Sequence, residues 1–218
     1  MQFAKLRIGL LVWAVLATPL LAEVADWGET EDPHGDCPVE ESQGQLDFHV
    51  PPGIHNLNPV LKDTSAPRVW REVSGDFVIE TQVLDFPIPA ENTGNIRVSY
   101  VAAGLVVWQN ENNFLRWTRS AVGEARAVFA SAELYEQGKL TENVNVAWNG
   151  QPMWLRLERR ADRIYLWLSD DGSQWRRHTS LRMPLPAQVQ VGVFALNVTK
   201  KEFAASFRDF YLLESAAK

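Results

Sequence analysis

The sequence predicts an all-β domain, a sandwich or barrel, and three observations carry that prediction. Short β-prone runs recur along the chain with turn residues between them. No stretch sustains an apolar period of 3.6 residues over three turns, as an amphipathic helix would. One pair of runs separates, residue by residue, into an aliphatic face and an aromatic, charged face.

Taken in order, residues 1–22 read as a secretory signal peptide. Lys5 and Arg7 precede the apolar run Ile8 to Leu21, Ala22 closes it with a small side chain, and Glu23 opens an acidic stretch. The run is shorter than the roughly 20 apolar residues a spanning helix needs, and Pro19 suits a cleavage region better than a helix interior. The chain is therefore expected in the periplasm or outside the cell, with no transmembrane segment. Residues 23–44, polar, acidic and rich in Pro and Gly, read as an irregular lead-in, and residues 45–214 as one β-sandwich domain. Its strand runs are Gln45–Val50, Arg68–Val73, Asp76–Phe86, Ile96–Trp108, Phe114–Ala121, Ala125–Ala130, Met153–Arg159, Arg163–Ser169, Gln188–Asn197 and Phe203–Leu213. Breakers such as Pro51-Pro52-Gly53, Asn149-Gly150 and Asp170-Asp171-Gly172 separate them. A short helix is expected over Ala132–Leu140.

The hairpin Met153–Ser169 gives the candidate site. Met153, Leu155 and Leu157 share one face of the first strand, and Ile164, Leu166 and Leu168 one face of the return strand, so these belong in the core. The opposite face then gathers Trp154, Arg156, Glu158, Tyr165 and Trp167. Trp117 and Arg119 share a face of their own strand and are expected to join the group. Sugars have apolar C–H faces and polar rims, so flat rings beside charged hydrogen-bonding groups suit a carbohydrate.

Charge and composition exclude other partners. The whole chain carries a formal charge of −6, and loss of Lys5 and Arg7 with the signal peptide takes it to −8. Such a chain repels phosphate backbones, so nucleic acid is no partner. The single Cys37 forms no disulfide framework. The four histidines, His34, His49, His55 and His178, show no metal-ligand spacing along the sequence.

Three stretches carry a resemblance: GDFVIETQV (Gly75–Val83), AGLVVWQNENNFLRWTR (Ala103–Arg119) and WLRLERRADRIYLWLSDDGSQW (Trp154–Trp175), followed by VQVGVFALN and FRDFYLL. GDCPVEESQGQLDFHVPPGIHNL (Gly35–Leu57) and APRVWREVSGDF extend it over nearly the whole mature chain. Together they resemble the "regulation of enolase protein"-like family, a branch of the concanavalin A-like lectin and glucanase superfamily whose relatives include the C-terminal sandwich domains of β-xylosidases. The resemblance implies a two-sheet jelly-roll sandwich with one concave face. Glucanases of that superfamily use a Glu-x-Asp-x-x-Glu strand; no such pattern occurs here, nor a serine elbow or a His-Glu-x-x-His motif, so no catalytic residue is assigned. The resemblance also implies that a structural calcium is possible, for which Asp32-Pro33-His34-Gly35-Asp36 and Glu91–Asn95 offer oxygen ligands; no other cofactor is expected. Ser169 to Trp175 is similar to the Asp-box turn of sialidases, a structural feature. Asn197-Val198-Thr199 is a glycosylation sequon. The function expected is non-catalytic carbohydrate binding. The alternatives are a glycoside hydrolase or other sugar-processing enzyme and a structural or interaction module.

Overall fold

The computed structural model describes residues 22–24, 26–94, 98–148 and 152–215. The apolar run of the expected signal peptide lies outside them. Ala22 and Glu23, on either side of the expected cleavage point, lie in the first strand.

The strands in chain order are β1 (Ala22–Val24), β2 (Gly28–Glu31), β3 (Val39–Ser42), β4 (Gln45–Val50), β5 (Arg68–Ser74), β6 (Phe77–Val83), β7 (Tyr100–Asn110), β8 (Asn113–Val122), β9 (Ala127–Glu136), β10 (Lys139–Ala147), β11 (Met153–Arg160), β12 (Arg163–Ser169), β13 (Arg176–Arg182), β14 (Gln188–Asn197) and β15 (Phe203–Glu214). They form two antiparallel sheets. The larger runs β1-β2-β5-β14-β7-β8-β9-β10, the smaller β13-β12-β11-β6-β15-β4-β3. The all-β, two-sheet jelly-roll sandwich is what the sequence predicts.

Alternation builds the sheets. In β4, β6 and β11 every second residue is buried, and those residues meet the inward rows of the larger sheet. Leu155, Leu157, Ile164 and Leu166 are fully buried in this core, as the hairpin reading requires. Strands β7 and β8 are instead buried on both faces. Their second cover is the segment 51–67, which holds Pro51, Pro52, Pro59 and Pro67 and so cannot pair as a central strand. It leaves β4, bridges to the end of β14 through His55 and Asn197, makes a 3-10 turn at Pro59–Leu61, and runs on into β5. Leu57 and Ala66 pack with Trp70, Val106, Trp108, Phe114, Tyr135 and Phe194 into a second core on the outer side of the larger sheet.

Three expectations are corrected. Residues 23–44 are not irregular: β2 and β3 fall there, and Trp27 and Cys37 are buried in the main core. These strands are four residues each, too short to show alternation in an acidic sequence. No helix forms at Ala132–Leu140. Ala130, Ala132 and Leu134 alternate inward, and Gln137 and Gly138, both at positive φ (52° and 75°), make the two-residue turn of a β9–β10 hairpin. Burial on a pleated surface overrides the helix propensity of the alanines. Strands β10 and β13 escaped the pattern because they are edge strands of mostly exposed, polar residues. The sequon is not a free acceptor either. Asn197 is fully buried and its amide donates to the carbonyls of Val50, Pro51 and Lys201, which ties three chain segments together.

Candidate functional site

The expected ligand face divides between two places. Trp154, Arg156, Glu158, Tyr165 and Trp167 do share the outer face of the smaller sheet, each half-buried. Trp117 and Arg119 do not join them. Strand β8 belongs to the larger sheet, and its odd-numbered residues point into the sandwich interior, where both side chains are buried. Trp117 Nε1 donates across that interior to the Trp167 carbonyl at 3.1 Å, and Arg119 donates to the Phe86 carbonyl at 3.2 Å while its other arm pairs with Asp85. Same-face grouping within a strand cannot say which sheet the strand joins.

The five that remain are largely occupied by one another and by neighbours. Arg156 lies between Glu80, at 2.8 Å, and the Trp175 ring, at 3.9 Å. Glu158 is held by Arg160 at 2.6 Å. The Asp171 turn folds over Trp154 so closely that a Cβ on Gly172 would sit 2.9 Å from its ring. Asp171 Oδ1 accepts the backbone N–H groups of Ser173 and Gln174, each at 2.8 Å, and these hold its carboxyl far below the usual range. The turn is structural, as its likeness to an Asp-box implies.

A polar row that sequence reasoning passed over lies on the outer face of the larger sheet. In β8 the even-numbered residues Arg116, Thr118 and Ser120 face outward. Across the register they meet Glu133 and Ser131 of β9, which in turn meet Asn143 and Asn145 of β10. Arg116 donates to Glu133 at 2.6 Å and to the Leu57 carbonyl at 3.1 Å; the Tyr135 hydroxyl donates to the same Glu133 at 2.5 Å. Beside them the hydroxyls of Tyr100 and Ser120 are 3.0 Å apart, and those of Ser120 and Thr118 2.8 Å. Beneath this row the backbones of β7 and β8 approach too closely at Gly104 for any side chain. A Cβ at that position would stand 2.2 Å from the Trp117 carbonyl.

The electrostatics make this row a set of fixed donors and acceptors. Burial opposes charge on Arg116, but Glu133 outweighs it and holds the guanidinium ionised, its pKa raised. Burial pushes the Tyr100 and Tyr135 hydroxyls up, against the pull of Arg116, so both remain protonated donors at neutral pH. Asn143 and Asn145 stand exposed at the rim, joined by a 3.0 Å hydrogen bond. A second cation, Arg68, is buried between the rings of Trp70 and Trp108 at 4.7 and 4.6 Å and pairs with Glu31. The signal was present in the sequence as the even residues of Phe114–Ser120, beside the odd ones that were read as ligands.

Residues 42–215 match the family described as "Protein of unknown function (DUF1349)". The chain belongs to this family. No curated protein sequence matches it. Among solved structures, the DUF1349 chain is similar to a functionally unknown protein from Saccharomyces cerevisiae, with a TM-score of 0.69 and 15% identity over 83% of this chain and 93% of that one. It is similar to a xylan β-1,4-xylosidase from Bacillus halodurans, with a TM-score of 0.60 and 16% identity over 82% of this chain but only 34% of the xylosidase. A legume lectin-like domain from Entamoeba histolytica gives 0.53 and 7% identity, over 83% and 88%. At these identities the likeness shows the fold. The DUF1349 sandwich thus shares its architecture with lectin-like proteins. Among its described residues, no helix is long and apolar enough to cross a membrane.

Proposed function

We propose that this DUF1349 chain is an exported carbohydrate-binding module whose ligand lies on the outer face of the larger sheet, over β8–β10. The observation that carries the reading is the exposed pair Asn143 and Asn145 beside the half-buried Glu133, backed by the largely buried network Tyr100–Ser120–Thr118 and Arg116–Tyr135. Arg116, Thr118 and Ser120 are buried and make a rigid support, so the groups a sugar would meet are the exposed amides of Asn143 and Asn145 with the half-buried Glu133 and Tyr100, whose donors and acceptors match sugar hydroxyls. Sandwiches of this fold in a lectin-like domain and a xylosidase support the sugar class. Binding without hydrolysis fits Glu133, whose carboxylate is engaged by Arg116 and Tyr135, because glycoside hydrolysis calls for a pair of carboxyls flanking the scissile bond. The resemblance to the "regulation of enolase protein"-like family, which remains an expectation beside the DUF1349 match, adds no ligand to this reading.

A second reading keeps the ligand on the smaller sheet. It is favoured by Arg177, exposed beside Tyr165 at 5.8 Å and without an ion-pair partner among the described residues. Calorimetry of the mature chain against a polysaccharide panel separates the two. Asn143→Ala with Asn145→Ala, or Tyr100→Phe, is expected to weaken binding at least about tenfold, or about 1.4 kcal/mol, with the unfolding midpoint unchanged for the exposed asparagines and Trp167→Ala binding as wild type does. Loss confined to Trp167→Ala moves the site to the smaller sheet. Absence of binding to every glycan, or release of shorter sugars, overturns the proposal.

A further inference from the structure

The fold brings together two histidines that are far apart in sequence. His55, only 3% exposed, lies near the start of segment 51–67, which covers the larger sheet. Its Nε2 lies 3.2 and 3.4 Å from the two carboxylate oxygens of Asp36. The exposed His34 stands edge-on to it, ring centroids 5.1 Å apart. One ligand atom from each of the three residues lies within 4.8 Å of the others.

We propose that His34, Asp36 and His55 bind a borderline transition ion such as zinc. Four-coordinate zinc with bonds of about 2.0–2.1 Å spaces its ligand atoms about 3.3 Å apart. The Asp36–His55 pair already has that spacing, and His34 has to close by no more than about 1.5 Å to match it. The exposed side chain of His34 is free to do so, while the loop beneath it is fixed. Asp32 accepts the backbone N–H groups of His34 and Cys37, at 3.3 and 2.7 Å, and Gly35 turns the chain at φ 71°. His55 is fixed as well. Its Nδ1 is buried and unpartnered, so Nε2 is the nitrogen that does the ring's bonding. Two imidazoles and one carboxylate suit zinc, cobalt or nickel. Calcium takes six to eight oxygens, so the two histidines suit a different ion from the calcium that the resemblance allowed at Asp32–Asp36. Cys37, whose thiol contacts Asp36 at 3.4 Å, stands next to the site.

The ion would fasten the stretch before β3 to the start of segment 51–67. Two residues beyond His55, the Leu57 carbonyl meets Arg116, so the metal braces the cover of the larger sheet whether or not that face binds a glycan. The test uses untagged mature protein stripped with a chelator. Calorimetry should show one zinc per chain, calcium at least about a hundredfold weaker, and a raised thermal midpoint with zinc. His34→Ala and Asp36→Asn should each weaken zinc at least about tenfold, and His49→Ala should not. Cobalt should give a tetrahedral d–d absorption that disappears in His34→Ala. No zinc binding, calcium binding as tight as zinc, or zinc affinity unchanged in His34→Ala overturns the site; glycan binding by wild type has no bearing on the outcome.

Discussion

Arg116 shows how much one residue organises. Its guanidinium is nearly inaccessible on the outer side of a sheet, where it holds Glu133 and the Leu57 carbonyl at once. Removing one partner of a buried ion pair leaves the other charge unpaired, which costs about 3–5 kcal/mol. Arg116→Met is therefore expected to lose that much stability in urea unfolding, and Glu133→Gln added to it should restore part of the loss. Two singles that simply add would show that the pair is not coupled. At this scale the sequence was partly legible. The alternation of Leu155, Leu157, Ile164 and Leu166 gave their burial directly. Arg119 and Arg116 read alike as strand arginines, yet one enters the interior and the other the covered outer face, and only the cross-strand neighbours distinguish them.

The β11–β12 hairpin is the element where sequence and structure agree most closely. Leu166 lies at its centre and fills the core, so Leu166→Ala is expected to cost about 2–5 kcal/mol, measured by denaturant midpoint at constant m-value. A change below about 0.5 kcal/mol would contradict its packing. The turn that follows makes a pH prediction. The backbone N–H groups of Gln174 and Ser173, helped by the Ser169 hydroxyl, depress the Asp171 pKa. A group with a lowered folded pKa contributes stability above its unfolded pKa, about 3.9 for Asp, and loses it as the pH falls toward the folded value. The gap in thermal midpoint between wild type and Asp171→Asn should hold constant above about pH 5 and close below about pH 4. A gap independent of pH would mean the carboxylate is not what the turn uses. Edge strands were the illegible elements. Strand β10 pairs along β9 through backbone hydrogen bonds while presenting Glu142, Asn143 and Asn145 to solvent, and hydrophobic periodicity does not register such a strand.

On the scale of the whole molecule, the sandwich has two separate cores, one between the sheets and one beneath segment 51–67. The first was legible because alternation points to it. The second was not, because a proline-rich segment that packs as a cover reads in sequence like an ordinary loop. Export is a proposal with a direct test. N-terminal sequencing of protein recovered from outside the cytoplasm is expected to give Glu23 as the first residue, and intact Met1 in a membrane fraction would overturn it. Cleavage there would leave Glu23 and Val24 paired with Glu29 and Gly28 on the sheet edge.

Trp117 and Arg119, two residues apart on β8, each reach through the interior to a main-chain carbonyl on the far side, that of Trp167 on β12 and that of Phe86 beyond β6. Oily faces pressed together resist separation but offer little against sliding, since the hydrophobic effect has no preferred direction. Two directional bonds from neighbouring points act as dowels, fixing the translation and rotation of one layer against the other. The indole proton of Trp117 should then exchange with solvent only when the sheets part, so one well-dispersed resonance would report the opening of the whole sandwich.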